Sequence, residues 1–263
     1  MGEGKDIIVN SWAEVQSALF DHSWNETISR FRSSYVYRGA WNKNFNLSTS
    51  LTRLGSHYHE LEPHILRNFK KYAHSDAAAG DSVWNWLAVA QHHGLPTRLL
   101  DWTYSPYVAL HFATQDLSKY DEDGVVWCVN YVKSTEHLPT SLKTAIEEEG
   151  SNVFTPDMLH PVCPTLKELE LLQQEEYVVF LEPPSLDARI VHQYALFSLM
   201  STAQANMSKW LEQHPELYFR VVIPAGLKWE IRDKLDQANI TERVLFPGLA
   251  GLSQWLKRHY THE

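Results

Sequence analysis

The stretch QHHGLPTRLLDWT, residues 91–103, constrains the fold of this chain more than any other segment. Gly94 is well placed to end a helix over residues 81–93 at its C′ position. Pro96 then bars a helical continuation, because proline lacks the backbone N–H. A new helix begins at Ser105-Pro106, since serine is a common N-cap and proline is favoured at the first helical position. The sequence therefore predicts a rigid loop that joins two helices.

Four titratable side chains lie in this stretch among leucines and a tryptophan: His92, His93, Arg98 and Asp101. Two interpretations stay open from the residues alone. Arg98 and Asp101 form a buried ion pair that pins the loop, or one of them faces an anionic ligand in a pocket. His92 lies at a helix C-terminus, where the helix dipole favours its charged form.

Hydrophobic periodicity and turn signals predict the other elements. Strands are predicted at residues 33–40, 125–131, 176–183, 194–199 and 217–224. Helices are predicted at residues 10–20, 60–73, 228–238 and 249–259, with helical, surface-lying material over 134–173. Residues 1–29 are interpreted as an N-terminal helical extension and residues 30–263 as one domain. The expected fold class is α+β, a mixed central sheet flanked by helices.

The net charge of −9 makes an extended nucleic-acid surface improbable but leaves room for a local basic pocket. Cys128 and Cys163 are the two cysteines, which is neither a disulfide framework nor a zinc signature. No signal-peptide pattern and no apolar run of membrane-spanning length occur, so we expect a soluble, cytoplasmic protein. No HExxH or other recognised ligand spacing is present, and no metal is expected.

Five segments together resemble the FRG-domain family, which is named for its Phe/Tyr-Arg-Gly signature. They are YRGA at 37–40, QHHGLPTRLLDWT at 91–103, SPYVALHFA at 105–113, RIVHQYALF at 189–197 and LFPGLAGL at 245–252. These segments extend over roughly residues 30–260, and the second one is long and specific. In this sequence Tyr37 takes the aromatic position of the signature, followed by Arg38 and Gly39.

The resemblance implies a core similar to that of ADP-ribosyltransferases and NAD as the cofactor or co-substrate. Arg38, within the Tyr37-Arg38-Gly39 signature, would bind the phosphates of NAD. Thr97 and Arg98 would form the second strand motif beside the nicotinamide ribose, and Arg98 would also hold the pyrophosphate. Gln193 lies near the position that usually carries a catalytic glutamate. Asp101 with Gln193 would then stabilise the ribosyl cation, and His92 would orient groups or shuttle protons.

Three functional hypotheses of different classes stay open, and the glutamine at 193 bears on the first two. The first is an NAD-dependent ADP-ribosyltransferase or NAD glycohydrolase that acts as a toxin or in anti-phage defence, with a protein target. The second is a non-catalytic nucleotide- or anion-binding module that signals to a protein partner, because glutamine lacks the negative charge that an oxocarbenium-like transition state needs. A third is an interaction protein that uses its aromatic surface.

Overall fold

A seven-stranded mixed sheet carries the fold in the computed structural model, which describes residues 4–73, 80, 82–184 and 187–261. The strand order is β1-β9-β6-β4-β5-β8-β7, and a separate hairpin joins β2 to β3. β1 and β9 are parallel, and the other neighbouring strands described in the sheet are antiparallel. The strands are β1 (Lys5–Ile8), β2 (Trp24–Asn25), β3 (Arg30–Phe31), β4 (Tyr35–Ala40), β5 (Leu100–Thr103), β6 (Gly124–Asn130), β7 (Val178–Leu181), β8 (Ala195–Met200) and β9 (Tyr218–Ile223).

Helices pack on both faces of this sheet, and the mixed sheet flanked by helices confirms the predicted α+β class. They are α1 (Trp12–Phe20), α2 (Tyr58–Ala73), α3 (Val83–His92), α4 (Pro106–Thr114), α5 (Thr140–Glu149), α6 (Pro156–Val162), α7 (Leu166–Leu171), α8 (Ala188–His192), α9 (Met207–Gln213), α10 (Lys228–Gln237), α11 (Glu242–Leu245) and α12 (Leu249–His259). The helix predicted from residue 81 begins at Val83, and residue 81 itself lies outside the described residues. No helix among the described residues is long and apolar enough to cross a membrane.

The inner strand β6 shows that the core has two sides. All its residues from Gly124 to Val129 are buried. Val125, Trp127 and Val129 pack into one apolar cluster, whereas Val126 and Cys128 pack into another on the opposite face. Because successive side chains of a strand point to opposite faces, a strand covered on both sides is apolar throughout.

The N-terminal segment differs from its prediction as a helical extension. α1 is present, and Ser11 caps it by accepting a hydrogen bond from the backbone N–H of Glu14. However, Lys5–Ile8 also pairs with β9 and becomes an edge strand of the main sheet. Local periodicity does not reveal this strand because its pairing partner lies more than two hundred residues away in the chain.

Residues 134–173 also differ from their prediction as surface-lying material. α5, α6 and α7 are helical, but Leu142, Leu159 and Leu169 are fully buried in a cluster shared with α3. The segment looks polar because each of these short helices buries only a narrow stripe. It therefore adds a layer to the core.

The pairing of β4 and the glycine at position 39 set the geometry at the centre of the sheet. β4 pairs with β6 from Tyr35 to Ala40, but within the described residues it meets β5 only at Tyr37–Thr103. At Gly39 a Cβ atom would lie 1.8 Å from the carbonyl oxygen of Ala109 in α4. Only glycine lets α4 approach β4 this closely. The glycine of the YRG signature is therefore a packing requirement.

Candidate ligand-binding cleft

A cleft of about 310 Å³ opens where β4 and β5 cease to pair. The ends of α3 and α4, the 3-10 turn at Leu51–Leu54 and the segment from α8 to β8 complete its walls. It is lined by Tyr37, Arg38, Gly39, Ala40, Trp41, Phe45, Arg53, Gln91, His92, Asp101, Trp102, Thr103, Phe112, Gln115, Arg189, Ile190, Gln193, Ala195 and Phe197.

Arg38 lies at the point of divergence of the two strands. Its Nη1 atom donates a hydrogen bond to the backbone oxygen of Asp101, with 2.6 Å between the two atoms. The carboxylate of Asp101 is 3.9 Å from the same nitrogen. Burial lowers the pKa of Arg38, Asp101 raises it and the neighbouring Arg53 lowers it further. The guanidinium is thus a positioned, partly desolvated cation with further N–H groups for an anion.

Two more arginines, Arg53 and Arg189, line the cleft with exposed side chains. Neither has a carboxylate within ion-pair distance in residues 4–73, 80, 82–184 and 187–261. The guanidinium of Arg189 stacks on Phe246, 5.2 Å from its ring centre. The described lining of the cleft therefore carries three arginines and one carboxylate, that of Asp101, although the net charge of the chain is −9. The lining thus gives the cleft a local excess of positive charge.

A short chain of hydrogen bonds holds Asp101. Gln91 Nε2 donates to its Oδ2 atom at 2.9 Å, and Gln91 Oε1 accepts from the hydroxyl of Thr97. The Asp101 side chain is 61% exposed, so it faces the open cleft. Thr97 is buried and does not line the cleft. Thr97 therefore contacts the cleft only indirectly, through its hydrogen bond to Gln91.

Arg98 does not reach the cleft. Its guanidinium is buried and donates to both carboxylate oxygens of Glu62 and, at 3.1 Å, to Glu170. Of the two interpretations left open by the residues, the ion pair between Arg98 and Asp101 is therefore absent: Arg98 pairs with Glu62 on α2, whereas Asp101 on β5 lies near Arg38. The structure also separates Arg98 from Arg38, so the two do not share an anion.

The loop predicted between α3 and α4 contains strand β5, which brings a second threonine to the cleft. Thr103 ends β5 just before α4, lines the cleft and donates its hydroxyl to the backbone oxygen of Gln193 at 2.7 Å. The strand was missed because it has only four residues and follows a proline-containing loop. Thr103, and not Thr97, is therefore the threonine of this segment that lines the cleft.

His92 and Gln193 connect the cleft to the segment around α8. His92 Nε2 lies 2.7 Å from Asp187 Oδ2, and Asp187 also caps α8 by accepting from its first backbone N–H groups. Burial raises the pKa of Asp187, but the N–H of Ile190 and His92 lower it overall. Gln193 Nε2 donates to the backbone oxygen of Leu245 at 3.0 Å. Both side chains are thus anchored at the cleft wall.

Tyr37 serves the core more than the cleft. Its side chain is buried, its hydroxyl lies 2.9 Å from Ser33 Oγ and it donates to the backbone oxygen of Leu19. It points away from Arg38 because adjacent strand residues face opposite sides of a sheet. Burial strongly raises the pKa of its hydroxyl.

Several lining residues were not singled out from the sequence. Arg189 and Phe112 lie inside motifs that were recognised without being assigned a role. Trp41 and Phe45 follow the YRG signature and contact each other, with 4.5 Å between ring centres. Arg53 carries no local signal, since its neighbourhood in the sequence is an ordinary polar loop. Only the folding of the 3-10 turn onto the cleft places it there.

The comparisons with known proteins agree with part of this description. Residues 33–122 match the family model of the FRG domain. The match supports the FRG resemblance and covers about a third of the 263-residue chain, from before the YRG signature to beyond α4. Arg189 and Gln193 lie outside it. No curated protein and no solved structure matches the chain.

Proposed function

We propose that the cleft binds a phosphate-bearing nucleotide and that NAD is its ligand. The observation that carries this proposal is the excess of arginines, since Arg38, Arg53 and Arg189 line the cleft with a single described carboxylate. A guanidinium binds phosphate oxygens through two parallel N–H groups, which makes arginine the preferred residue for such ligands. Aromatic rings at Trp41 and Phe45 offer an apolar surface for a base.

The arrangement of the strands supports NAD among nucleotides. Three neighbouring strands of the sheet position these residues: Arg38 is on β4, Thr103 is on β5, and Gln193 lies just before β8. This is the order of motifs that the resemblance to ADP-ribosyltransferases implies. In this arrangement Arg38 holds the phosphates, and Gln193 offers its amide to a ribose hydroxyl.

The test is a binding measurement by calorimetry with NAD, ADP-ribose, ATP and inorganic pyrophosphate. Arg53→Ala and Arg189→Ala remove charges at the mouth of the cleft, and Arg67→Ala removes an exposed arginine of α2 outside it. A hydrogen bond to a charged group contributes ~1.5–3 kcal/mol, so each cleft variant should bind NAD at least about tenfold more weakly. Arg67→Ala should bind like the parent. Equal affinity in all three variants, or no binding of any of these compounds, contradicts the proposal.

A second candidate function is cleavage of the nicotinamide–ribose bond of NAD, and Asp101 favours it. Its exposed carboxylate faces the cleft, and Gln91 holds it in position. When the C–N bond breaks, nicotinamide leaves with the bonding electrons and the ribose becomes an oxocarbenium-like cation, which a nearby carboxylate stabilises. Water or a nucleophile of a target protein then adds to the cation and loses a proton. We assign the acceptance of that proton to His92, whose imidazole ring is held in place by Asp187.

Turnover is tested by release of nicotinamide from NAD. Asp101→Asn keeps the shape of the side chain and removes its charge, so it should abolish release while NAD still binds. Expression in a bacterial host should deplete NAD and arrest growth if the protein acts as a toxin or in anti-phage defence, and Asp101→Asn should do neither. NAD binding by the parent protein without release favours the binding module that signals to a protein partner.

A further inference from the structure

Two histidines and a glutamate converge at a place well away from the cleft. His137 ends the 3-10 turn Lys133–His137 after β6, His214 follows α9, and Glu216 lies in the 3-10 turn Pro215–Leu217 before β9. β6 and β9 are antiparallel neighbours, with Val129 opposite Tyr218. The end of one strand therefore meets the beginning of the other. The cleft lies toward the other end of β6, near Ala40 and its partner Val125.

We propose that His137, His214 and Glu216 form a zinc-binding site. One ligand atom from each residue lies within 4.8 Å of the others. His137 Nε2 is 4.0 Å and His214 Nδ1 is 3.9 Å from Glu216 Oε1. Zinc–ligand bonds of ~2.0–2.1 Å at the tetrahedral angle place donors about 3.4 Å apart. The two histidine–glutamate distances therefore need to shorten by about half an ångström to reach this spacing.

The spacing of these groups is better matched to an ion than to hydrogen bonds. Distances of 3.9–4.0 Å are too long for a direct hydrogen bond. Within the part of the chain that the structure describes, none of the three side chains has a hydrogen-bond partner in the protein. The two imidazole rings nevertheless pack at 4.2 Å between centres. Three possible metal-ligand atoms thus surround a gap that a small cation would fill.

The types of ligand atom favour a borderline metal such as zinc. Trp210 packs against both rings, 5.5 Å from His137 and 4.6 Å from His214, and holds them side by side. Two imidazoles and one carboxylate suit zinc, whereas magnesium and calcium prefer oxygen ligands alone.

The site departs from the sequence-based expectation of no metal. That expectation relied on short ligand spacings, and here the ligands come from two segments that are distant in the chain. Three protein ligands leave a fourth zinc position for water or an anion. The ion would tie the connection after β6 to the connection before β9. We therefore expect bound zinc to raise the melting temperature.

The experiment is a zinc titration of the untagged, metal-stripped protein by calorimetry, with magnesium as a comparison. Changing outer partners of a metal site typically costs ~10–100-fold in affinity, so losing a ligand should cost at least about tenfold. This loss is expected in His214→Ala and Glu216→Gln. His59→Ala is the matched control, because His59 Nε2 also lies near a glutamate, 3.8 Å from Glu60 Oε1, but outside the three-ligand group.

The expected result is one zinc per chain in the parent and in His59→Ala, weaker binding in the two site variants and no comparable magnesium binding. Substituted Co²⁺ should show the strong visible absorption of a tetrahedral site, which both site variants lose. Absence of zinc binding by the parent, or equal affinity in all variants, overturns the proposal. Circular dichroism checks folding, and if His214→Ala is unfolded, the near-isosteric Glu216→Gln decides.

Discussion

The arginines of the cleft and those of the interior differ in their partners. Arg98 is buried against Glu62, and Arg258 is buried against Glu242 and Asp236. In the cleft, Arg53 and Arg189 have no paired carboxylate among the described residues, and Arg38 is 3.9 Å from that of Asp101. A charge in the interior is tolerated only with a partner, whereas a cation at an open cleft stays solvated until a ligand arrives. Partner and exposure, more than sequence position, separate the interior arginines from those that line the cleft.

Arg98→Ala should give the largest effect on folding. It leaves the buried carboxylate of Glu62 without its partner, and breaking a buried pair in this way costs ~3–5 kcal/mol. Urea denaturation measures the free energy of unfolding. The double variant Arg98→Met, Glu62→Leu should recover most of the loss, since it removes both charges. A loss below about 1 kcal/mol in Arg98→Ala, the range of exposed pairs, breaks the contrast with the cleft.

Glu242 should make stability depend on acid pH. Burial raises the pKa of Glu242, but hydrogen bonds from Arg258 outweigh this and hold it at about 2. The unfolded value is ~4.3, so the contribution is present above about pH 4.5 and is lost as the pH falls toward 2. Its size is about 3 kcal/mol.

The measurement is the free energy of unfolding against pH for the parent and Glu242→Gln. The variant should be less stable at pH 7 and should show a flatter profile between about pH 2 and 4.5. Parallel profiles for the two proteins would assign the acid dependence to other carboxylates.

Gly39→Ala tests whether the glycine of the YRG signature, unlike the neighbouring Arg38, is needed for packing. The added Cβ meets the backbone of Ala109, so the variant should lose ~1–3 kcal/mol of stability through overpacking. Arg38 next to it lines the cleft, and the proposed function assigns it to ligand binding. Thermal denaturation measures the loss, and an unchanged melting temperature contradicts the packing role of Gly39.

Arg53→Ala and Arg189→Ala should have the smallest effect on folding. Both side chains are exposed, and such substitutions usually change stability by less than ~0.5 kcal/mol. The same variants should lose ligand affinity. Substitution of a cleft arginine should therefore weaken binding with little change in stability, whereas substitution of an interior arginine should lower stability. A destabilisation as large as that of Arg98→Ala would place them in the structural class.

Local patterns predicted most of the elements and several residues of the cleft. The helix ends at Gly94 and Pro106 follow from capping and proline chemistry, and the strands at 35–40 and 124–130 follow from apolar patterning. Strand β1 and the buried stripes of α5–α7 were missed because they depend on partners far away in the chain. Thr103 was missed because β5 has only four residues and the sequence predicts a loop there.

The sequence by itself determined the α+β class, the position of Arg38 at a strand end and the break between α3 and α4. Those features arise from backbone preferences and periodicity over a few residues. Only the tertiary structure decided that Arg98 pairs with Glu62, that Asp101 faces the cleft with Arg38 and that His137 meets His214. The physical reason is that side-chain partners are chosen by distance in space, which strand order and helix packing set.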